Sequence, residues 1–153
     1  MNTPAEILKA RILIVDDKEP NILLLAGILR IAGHTAVDSA TDPTEVYALH
    51  RKNRYALILL DLEMPQMTGF DVMERLKELE TDGCLPVIVI TAHHEKRMRA
   101  LEAGARDFLT KPFDLAEFRV RVHNMLEGRL LHLRTKARVE VLEDAVRKLK
   151  SRE

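Results

Sequence analysis

Two stretches restrict the folds open to this chain more than any others. Ile12-Leu13-Ile14-Val15 runs directly into Asp16-Asp17, and Leu57-Ile58-Leu59-Leu60 runs directly into Asp61. A continuous apolar run of four residues, rather than an alternating one, suits a strand covered on both faces, and such strands belong to parallel sheets with helices above and below. A carboxylate at the end of such a strand sits at the mouth of the core. Two buried strands that each end in acid therefore predict an α/β sheet with negative charge gathered at one edge.

The rest of the chain supplies the remaining strands and their crossovers. Strands are expected over Arg11–Val15, His34–Ala40, Leu57–Leu60, Val87–Ile90 and Asp107–Thr110. Helical spacing fills the gaps. One helix runs from Pro20 to Ile31 and stops at Gly33, and a second opens at Asp42-Pro43, an N-cap followed by proline at the first helical position. A third spans Phe70–Glu80 with an apolar face of Phe70, Val72, Met73, Leu76 and Leu79. A fourth covers Glu95–Ala103, and Asp114 caps the last. Strict strand–helix alternation predicts a doubly wound five-stranded parallel sheet. In strand order 2-1-3-4-5 (flavodoxin-like), the first and third strands are neighbours, and Asp16, Asp17 and Asp61 converge at the crevice where the order reverses. Three adjacent carboxylates repel one another, and hard oxygen donors of this kind suit Mg²⁺. Thr91, ending the fourth strand, and Lys111, ending the fifth, bring a hydroxyl and an ammonium to the same point. A carboxylate so placed can act as nucleophile toward a phosphoryl group, with cations and hydroxyl steadying the transferring oxygens.

Composition narrows the class further. The chain has 153 residues, enough for one ordinary domain with an appendage. No apolar run approaches the ~20 residues of a membrane span, and the N-terminus lacks a signal-peptide pattern, so a cytoplasmic location without a membrane partner is expected. Cys84 is the single cysteine, which excludes an internal disulfide and a cysteine-based zinc site and reads as a loop residue. Net charge is zero, but residues 119–153 carry 10 Lys/Arg against 5 Asp/Glu. Glu140, Glu143 and Asp144 interrupt the basic residues, so this reads as a solvated helix face and no direct nucleic-acid partner is expected. His93 and His94 read as exposed loop residues.

The ordered set Asp16-Asp17, Asp61-x-x-Met64-Pro65-x-Met67-x-Gly69, Thr91-Ala92 and Lys111-Pro112-Phe113 resembles the receiver domain of two-component response regulators (CheY-like), from about Arg11 to Asn124. The resemblance implies a phosphorylation-dependent switch, not an enzyme acting on an external substrate. Asp61 would be the phosphoacceptor, served by a histidine kinase or phosphotransfer protein. Asp17 and Asp61 would ligate Mg²⁺ directly, Glu63 through its backbone carbonyl and Asp16 through a coordinated water. Thr91 and Lys111 would hold the phosphoryl oxygens, the lysine aimed by a cis Lys-Pro peptide. Phe108 would be the aromatic switch coupled to Thr91, turning inward on phosphorylation. Glu63 and His93 would flank the path of the hydrolytic water. A haloacid-dehalogenase-like phosphohydrolase also forms an aspartyl phosphate, but it requires Asp-x-Asp on its first strand, where this chain has adjacent Asp16-Asp17.

The chain divides into a lead at residues 1–10, a receiver at 11–124 and a helical extension at 125–153. From Asp114 to about Arg152 there is no proline, which permits one helix roughly 57 Å long. A lone helix needs packing to be stable. Leu126, Leu130, Leu133 and Ala137 form one seam; Val139, Leu142, Val146 and Leu149 form a second in shifted phase, with valine at a and leucine at d as in a parallel two-stranded coil. The expectation is a homodimer through this helix, the alternative being a helix folded back on its own domain. The alternative that the family resemblance implies is the receiver part of a longer regulator with an HD-GYP, diguanylate cyclase or kinase output module.

Overall fold

A computed structural model of the chain describes residues 3–82 and 84–152. Helix α1 (Pro4–Lys9) leads into β1 (Ile12–Val15), α2 (Glu19–Ile31), β2 (Val37–Ala40), α3 (Val46–Asn53), β3 (Leu57–Leu60), α4 (Gly69–Leu76), β4 (Val87–Thr91), α5 (Arg97–Glu102), β5 (Asp107–Thr110) and α6 (Leu115–Ser151). The five strands form one parallel sheet in the order β2-β1-β3-β4-β5, the doubly wound arrangement expected from the apolar runs. Short 3₁₀ turns, Pro43–Glu45 and His94–Lys96, precede α3 and α5.

Every residue of β1, β3 and β4 is buried, because the pleat sends alternate side chains into two separate layers. Leu13, Val15, Ile58, Leu60, Val87, Val89 and Phe108 pack with Val46, Val72, Met73, Leu76 and Ala100. Ile12, Ile14, Leu57, Leu59, Ile88, Ile90 and Leu109 pack on the other side with Ile7, Ile22, Leu25, Leu29, Phe118, Val122 and Leu126. The unbroken hydrophobicity of the strands is thus the price of having helices on both faces. β2 is shorter than expected and more open, since only Ala40 is buried on this edge strand.

Three features depart from the sequence reading. The lead is not merely a lead: Thr3 caps α1 by accepting from the Glu6 amide, and Ile7, 4% exposed, joins the core. Helix α4 ends at Leu76, and the chain then turns so that Glu80 is buried. The last helix runs unbroken for 37 residues, but its two seams have different fates. Leu126 is fully buried in its own domain and Leu130 packs on the same core, whereas Val139, Leu142, Val146 and Leu149 are 46–65% exposed. The helix therefore folds back along its first part and stands free along its last. No helix among the described residues is long and apolar enough to cross a membrane.

Candidate phosphoacceptor site

The sheet register builds the site. Val15 pairs with Ala40 on one side and with Leu60 on the other, so Asp16 and Asp61 follow the same rung of neighbouring strands. Their backbones extend the ladder by one bond each, the Asp16 amide donating to the Ala40 carbonyl (3.2 Å) and the Asp61 amide to the Val15 carbonyl (3.1 Å). At the other side of the crevice Thr91 pairs with Thr110, and the Lys111 amide donates to the Thr91 carbonyl at 2.8 Å. All of the polar residues expected at the site except Glu63 are thus carried at the carboxyl ends of β1, β3, β4 and β5, and Phe108 lies within β5. The Lys111-Pro112 peptide is cis.

Carboxylate oxygens of Asp16, Asp17 and Asp61 lie within 4.8 Å of one another. Asp16 is the most supported: it accepts from the Lys18 amide (2.9 Å), from Asn21 Nδ2 (3.1 Å) and from Lys111 Nζ (3.4 Å). Asp17 is the opposite case, with a buried Oδ1 that has no hydrogen-bond partner among the described residues. Buried acceptors are rarely left unpaired, and one on a residue of a carboxylate cluster asks for a cation. Asp61 is 9% exposed. Burial pushes its carboxyl above the ordinary range; Lys111 opposes the rise, Asp16 adds to it, and the Glu63 and Leu62 amides oppose it. The donor set is all carboxylate oxygen, which fits a hard divalent cation such as Mg²⁺.

The other residues stand around this centre. Thr91 is 1% exposed, and its Oγ1 accepts from the His93 amide at 3.3 Å. The Glu63 side chain turns away to the rim, where it pairs with Lys96; that hydrogen bond from Lys96 holds the Glu63 carboxyl below its usual range. His93 and His94 are exposed, as expected. Phe108 is 3% exposed and already inside the core, so any movement of the ring starts from a buried position. Asn21 and Lys96 were not singled out by sequence. Asn21 had a legible signal, an amide one turn into the helix that follows Asp16-Asp17, but Lys96 reaches Glu63 across 33 residues and has none.

Gly69 closes the loop that carries Asp61. Its amide donates to the Leu62 carbonyl at 3.1 Å, and the chain folds so tightly that a Cβ here would lie 2.7 Å from the Asp61 carbonyl and 2.8–2.9 Å from Leu62 atoms. Two of these three neighbours are backbone atoms and cannot yield without moving Asp61 or Leu62. Gly69→Ala is expected to cost about 1–3 kcal/mol in urea unfolding, the range for overpacking. Mg²⁺ affinity should fall in parallel, and an unchanged denaturation midpoint would contradict this account of the loop.

A five-stranded parallel sheet with three acids, a threonine and a lysine at its carboxyl edge defines the class, and the comparisons agree. The family model for the response regulator receiver domain matches residues 12–123, and the chain belongs to this family. It is 40% identical over 126 residues to response regulator PleD of Caulobacter vibrioides, an alignment covering 81% of this chain and 28% of PleD. It is 40% identical over 119 residues to the DNA-binding dual master transcriptional regulator RpaA of Synechocystis, covering 76% of this chain and 48% of RpaA. The chain thus spans between about a quarter and a half of these relatives. Among solved structures it resembles chemotaxis protein CheY4 of Vibrio cholerae (28% identity, TM-score 0.69, covering 76% of this chain and 98% of that one). It also resembles the receiver domain of sensor histidine kinase PA1611 of Pseudomonas aeruginosa, whose structure holds magnesium in the active-site cleft (27% identity, TM-score 0.70, covering 78% and 98%). Family membership implies phosphorylation-dependent signalling, and receiver domains bind Mg²⁺ in the acidic cleft.

Proposed function

We propose that Asp61 accepts a phosphoryl group from a histidine kinase or phosphotransfer protein and that this event sets the state of α6. The observation that carries the reading is the carboxylate cluster with its unpartnered Asp17 Oδ1, beside Lys111. An Asp61 oxygen would attack phosphorus as the bond from phosphorus to the donor nitrogen breaks, the imidazole leaving with the electron pair. Mg²⁺, held by Asp17, Asp61 and the Glu63 carbonyl with Asp16 orienting a coordinated water, would neutralise charge on the transferring oxygens. Lys111 would pair with one phosphoryl oxygen once drawn from Asp16, and Thr91 Oγ1 would donate to another. Burial of Asp61 excludes bulk water and leaves the carboxylate poorly solvated, which keeps it nucleophilic.

The donor protein needs a surface close to this point. A groove of about 450 Å³ lined by Leu24, Leu25, Ile28, Pro112, Phe113 and Leu115 opens next to Lys111, and Leu24 and Leu115 are 58% and 52% exposed. This supports docking of the donor across α2 and the loop after β5. Thr91 and Phe108 sit on adjacent strands, β4 and β5, so movement of the threonine toward a phosphoryl group would be felt by the ring. On this reading the chain catalyses only its own phosphorylation and dephosphorylation. The greater length of the relatives supports an output module elsewhere, of the HD-GYP, diguanylate cyclase or kinase kind, with a homodimer through α6 as the means of reaching it. The basic residues of α6 do not favour a nucleic-acid role, since Arg121, Arg129 and Arg134 are engaged by Asp107, Glu80 and Glu6.

The test is intact mass after incubation with acetyl phosphate, with and without Mg²⁺, followed by peptide mapping. One Mg²⁺-dependent phosphoryl adduct on Asp61 is the expected result. An adduct on another residue, or none, would overturn the assignment.

A further inference from the structure

The last turns of α6 carry an exposed apolar stripe flanked by charged residues. Val139, Leu142, Val146 and Leu149 recur at spacings of three and four along one face and are 46%, 65%, 49% and 61% exposed. Assigning Val139 and Val146 to a and Leu142 and Leu149 to d places Lys136, Glu143 and Lys150 at e, and Arg138, Ala145 and Arg152 at g. In a parallel two-stranded coil each g residue faces the e residue five positions later on the other helix. Arg138 then meets Glu143 of the partner subunit, twice by symmetry, and no like-charge pair is created. In the antiparallel coil that stacks Val139 on Leu149 and Leu142 on Val146, e faces e and g faces g. Every charged flank is then repulsive: Arg138 against Arg152, Lys136 against Lys150, Glu143 against Glu143.

Two further facts point the same way. Within the free segment Asp144 is taken by Arg147 and Lys148 of its own helix, whereas neither Arg138 nor Glu143 has an ion-pair partner among the described residues. β-Branched residues at a with leucine at d also favour the parallel pair. One heptad earlier the pattern stops: His132 occupies a but is bound to Asp82 at 2.7 Å, and Thr135 occupies d while its hydroxyl donates to the Leu131 carbonyl at 3.0 Å.

Resting on the reading of α6 as a dimerising output, we infer that two chains associate through residues 138–152 as a parallel, in-register coil whose direction is set by reciprocal Arg138–Glu143 pairs. Negative selection against the antiparallel form comes from the same side chains.

The experiment is a charge-swap cycle in the full chain, read by sedimentation equilibrium, with acetyl phosphate labelling of Asp61 as a check on the receiver. Arg138→Glu and Glu143→Arg each turn two attractive pairs into two repulsive ones and should weaken self-association about tenfold. The double variant restores opposite charges and should return to within about twofold of the wild type. Orientation is read separately on a Cys84→Ser background. Val139→Cys should cross-link to itself; cross-linking only when mixed with Leu149→Cys would show the antiparallel coil and overturn the inference. Self-association that ignores both single reversals would overturn the code while leaving a dimer. A chain that is monomeric at every concentration yet labels at Asp61 would overturn the dimer and leave the phosphoacceptor reading standing.

Discussion

Asp61→Asn is expected to do two opposite things: abolish phosphoryl acceptance and raise the melting temperature of the metal-free protein. The first follows from the loss of the nucleophilic oxygen, since an amide cannot form the acyl phosphate. The second follows from the cost of the charge. Asp61 is buried, its carboxyl is pushed up by that burial with Asp16 adding to the rise, and Asp17 presses on the same space. A carboxyl whose pKa is raised on folding binds its proton more tightly in the native state. Its ionisation therefore erodes stability as pH rises from the ordinary carboxylate range through that raised value, and the loss is complete above it. Asparagine removes the loss. In the metal-free wild type, melting temperature should rise as pH falls through the raised Asp61 value toward the ordinary carboxylate range, and this rise should be smaller in Asp61→Asn. Saturating Mg²⁺ should narrow the gap at pH 7 by stabilising the wild type more, since only its site keeps all three carboxylates. Paired calorimetric scans with and without Mg²⁺ read both effects. A variant that melts below the wild type in metal-free buffer would show that the carboxylate cluster is not a strained one.

Breaking the Glu80–Arg129 pair is expected to be the most destabilising polar change in the molecule. Glu80, 6% exposed, receives Arg129 Nη2 at 2.9 Å and lies 2.9 Å from His50 Nε2, while Arg129 Nη1 also donates to the Cys84 carbonyl at 3.2 Å. His50 is itself fully buried, and its Nδ1 accepts from the Tyr55 amide at 3.1 Å, which leaves Nε2 as the nitrogen that carries the proton toward Glu80. Burial pushes the Glu80 carboxyl up, but the hydrogen bonds from His50 and Arg129 outweigh it and hold the group below its usual range. Removing one partner strands the other charge, and such losses run to about 3–5 kcal/mol. Glu80→Ala and Arg129→Ala should each cost that much in urea unfolding, whereas Glu80→Leu with Arg129→Met should recover part of it, because no uncompensated charge remains although the His50 Nε2–H loses its acceptor. The sign with pH is opposite to that of Asp61. A depressed carboxyl contributes stability that is present above its unfolded value and lost as pH falls through the lower folded value, so Glu80 contributes to unfolding at acid pH. Single-variant costs under about 1 kcal/mol, the range of exposed pairs, would show that the network is solvated in solution.

Legibility in the sequence divides along a physical line. The strands could be read because both faces of β1, β3 and β4 are covered, which leaves a continuous apolar signature; Asp16, Asp61 and Thr91 could be placed because each immediately follows or ends such a run, and Lys111 because it follows the shorter strand around Phe108 and Leu109. Parallel register then brings them together without further information. What escaped is whatever depends on distant pairing. Glu80 and Arg129 are 49 residues apart, and nothing in the periodicity around either marks it as buried. Helix α1 escaped for another reason: Thr3, Pro4 and Glu6 form a respectable start signal, but six residues and one buried isoleucine are too few to show a period. The seams of α6 were visible, yet a period of 3.6 says only that a face is apolar. Which surface covers it depends on where the domain ends, and Leu126 proves to be covered by its own sheet while Leu142 is not.

Because α6 is a single uninterrupted helix, its docked and free parts behave as one lever. Arg129 and His132 fasten the shaft to the body through Glu80 and Asp82, Arg134 adds Glu6 of α1, and Lys136, also on Asp82 at 3.8 Å, is the last fastening. Beyond these the free arm from residue 137 to 151 is about 22 Å long, so a tilt of about 10° at the fastenings displaces its tip by about 4 Å. A rearrangement too small to disturb the core at Phe108 can therefore be large where two arms meet, and the gain of that amplification is set by where along the shaft the last ion pair falls.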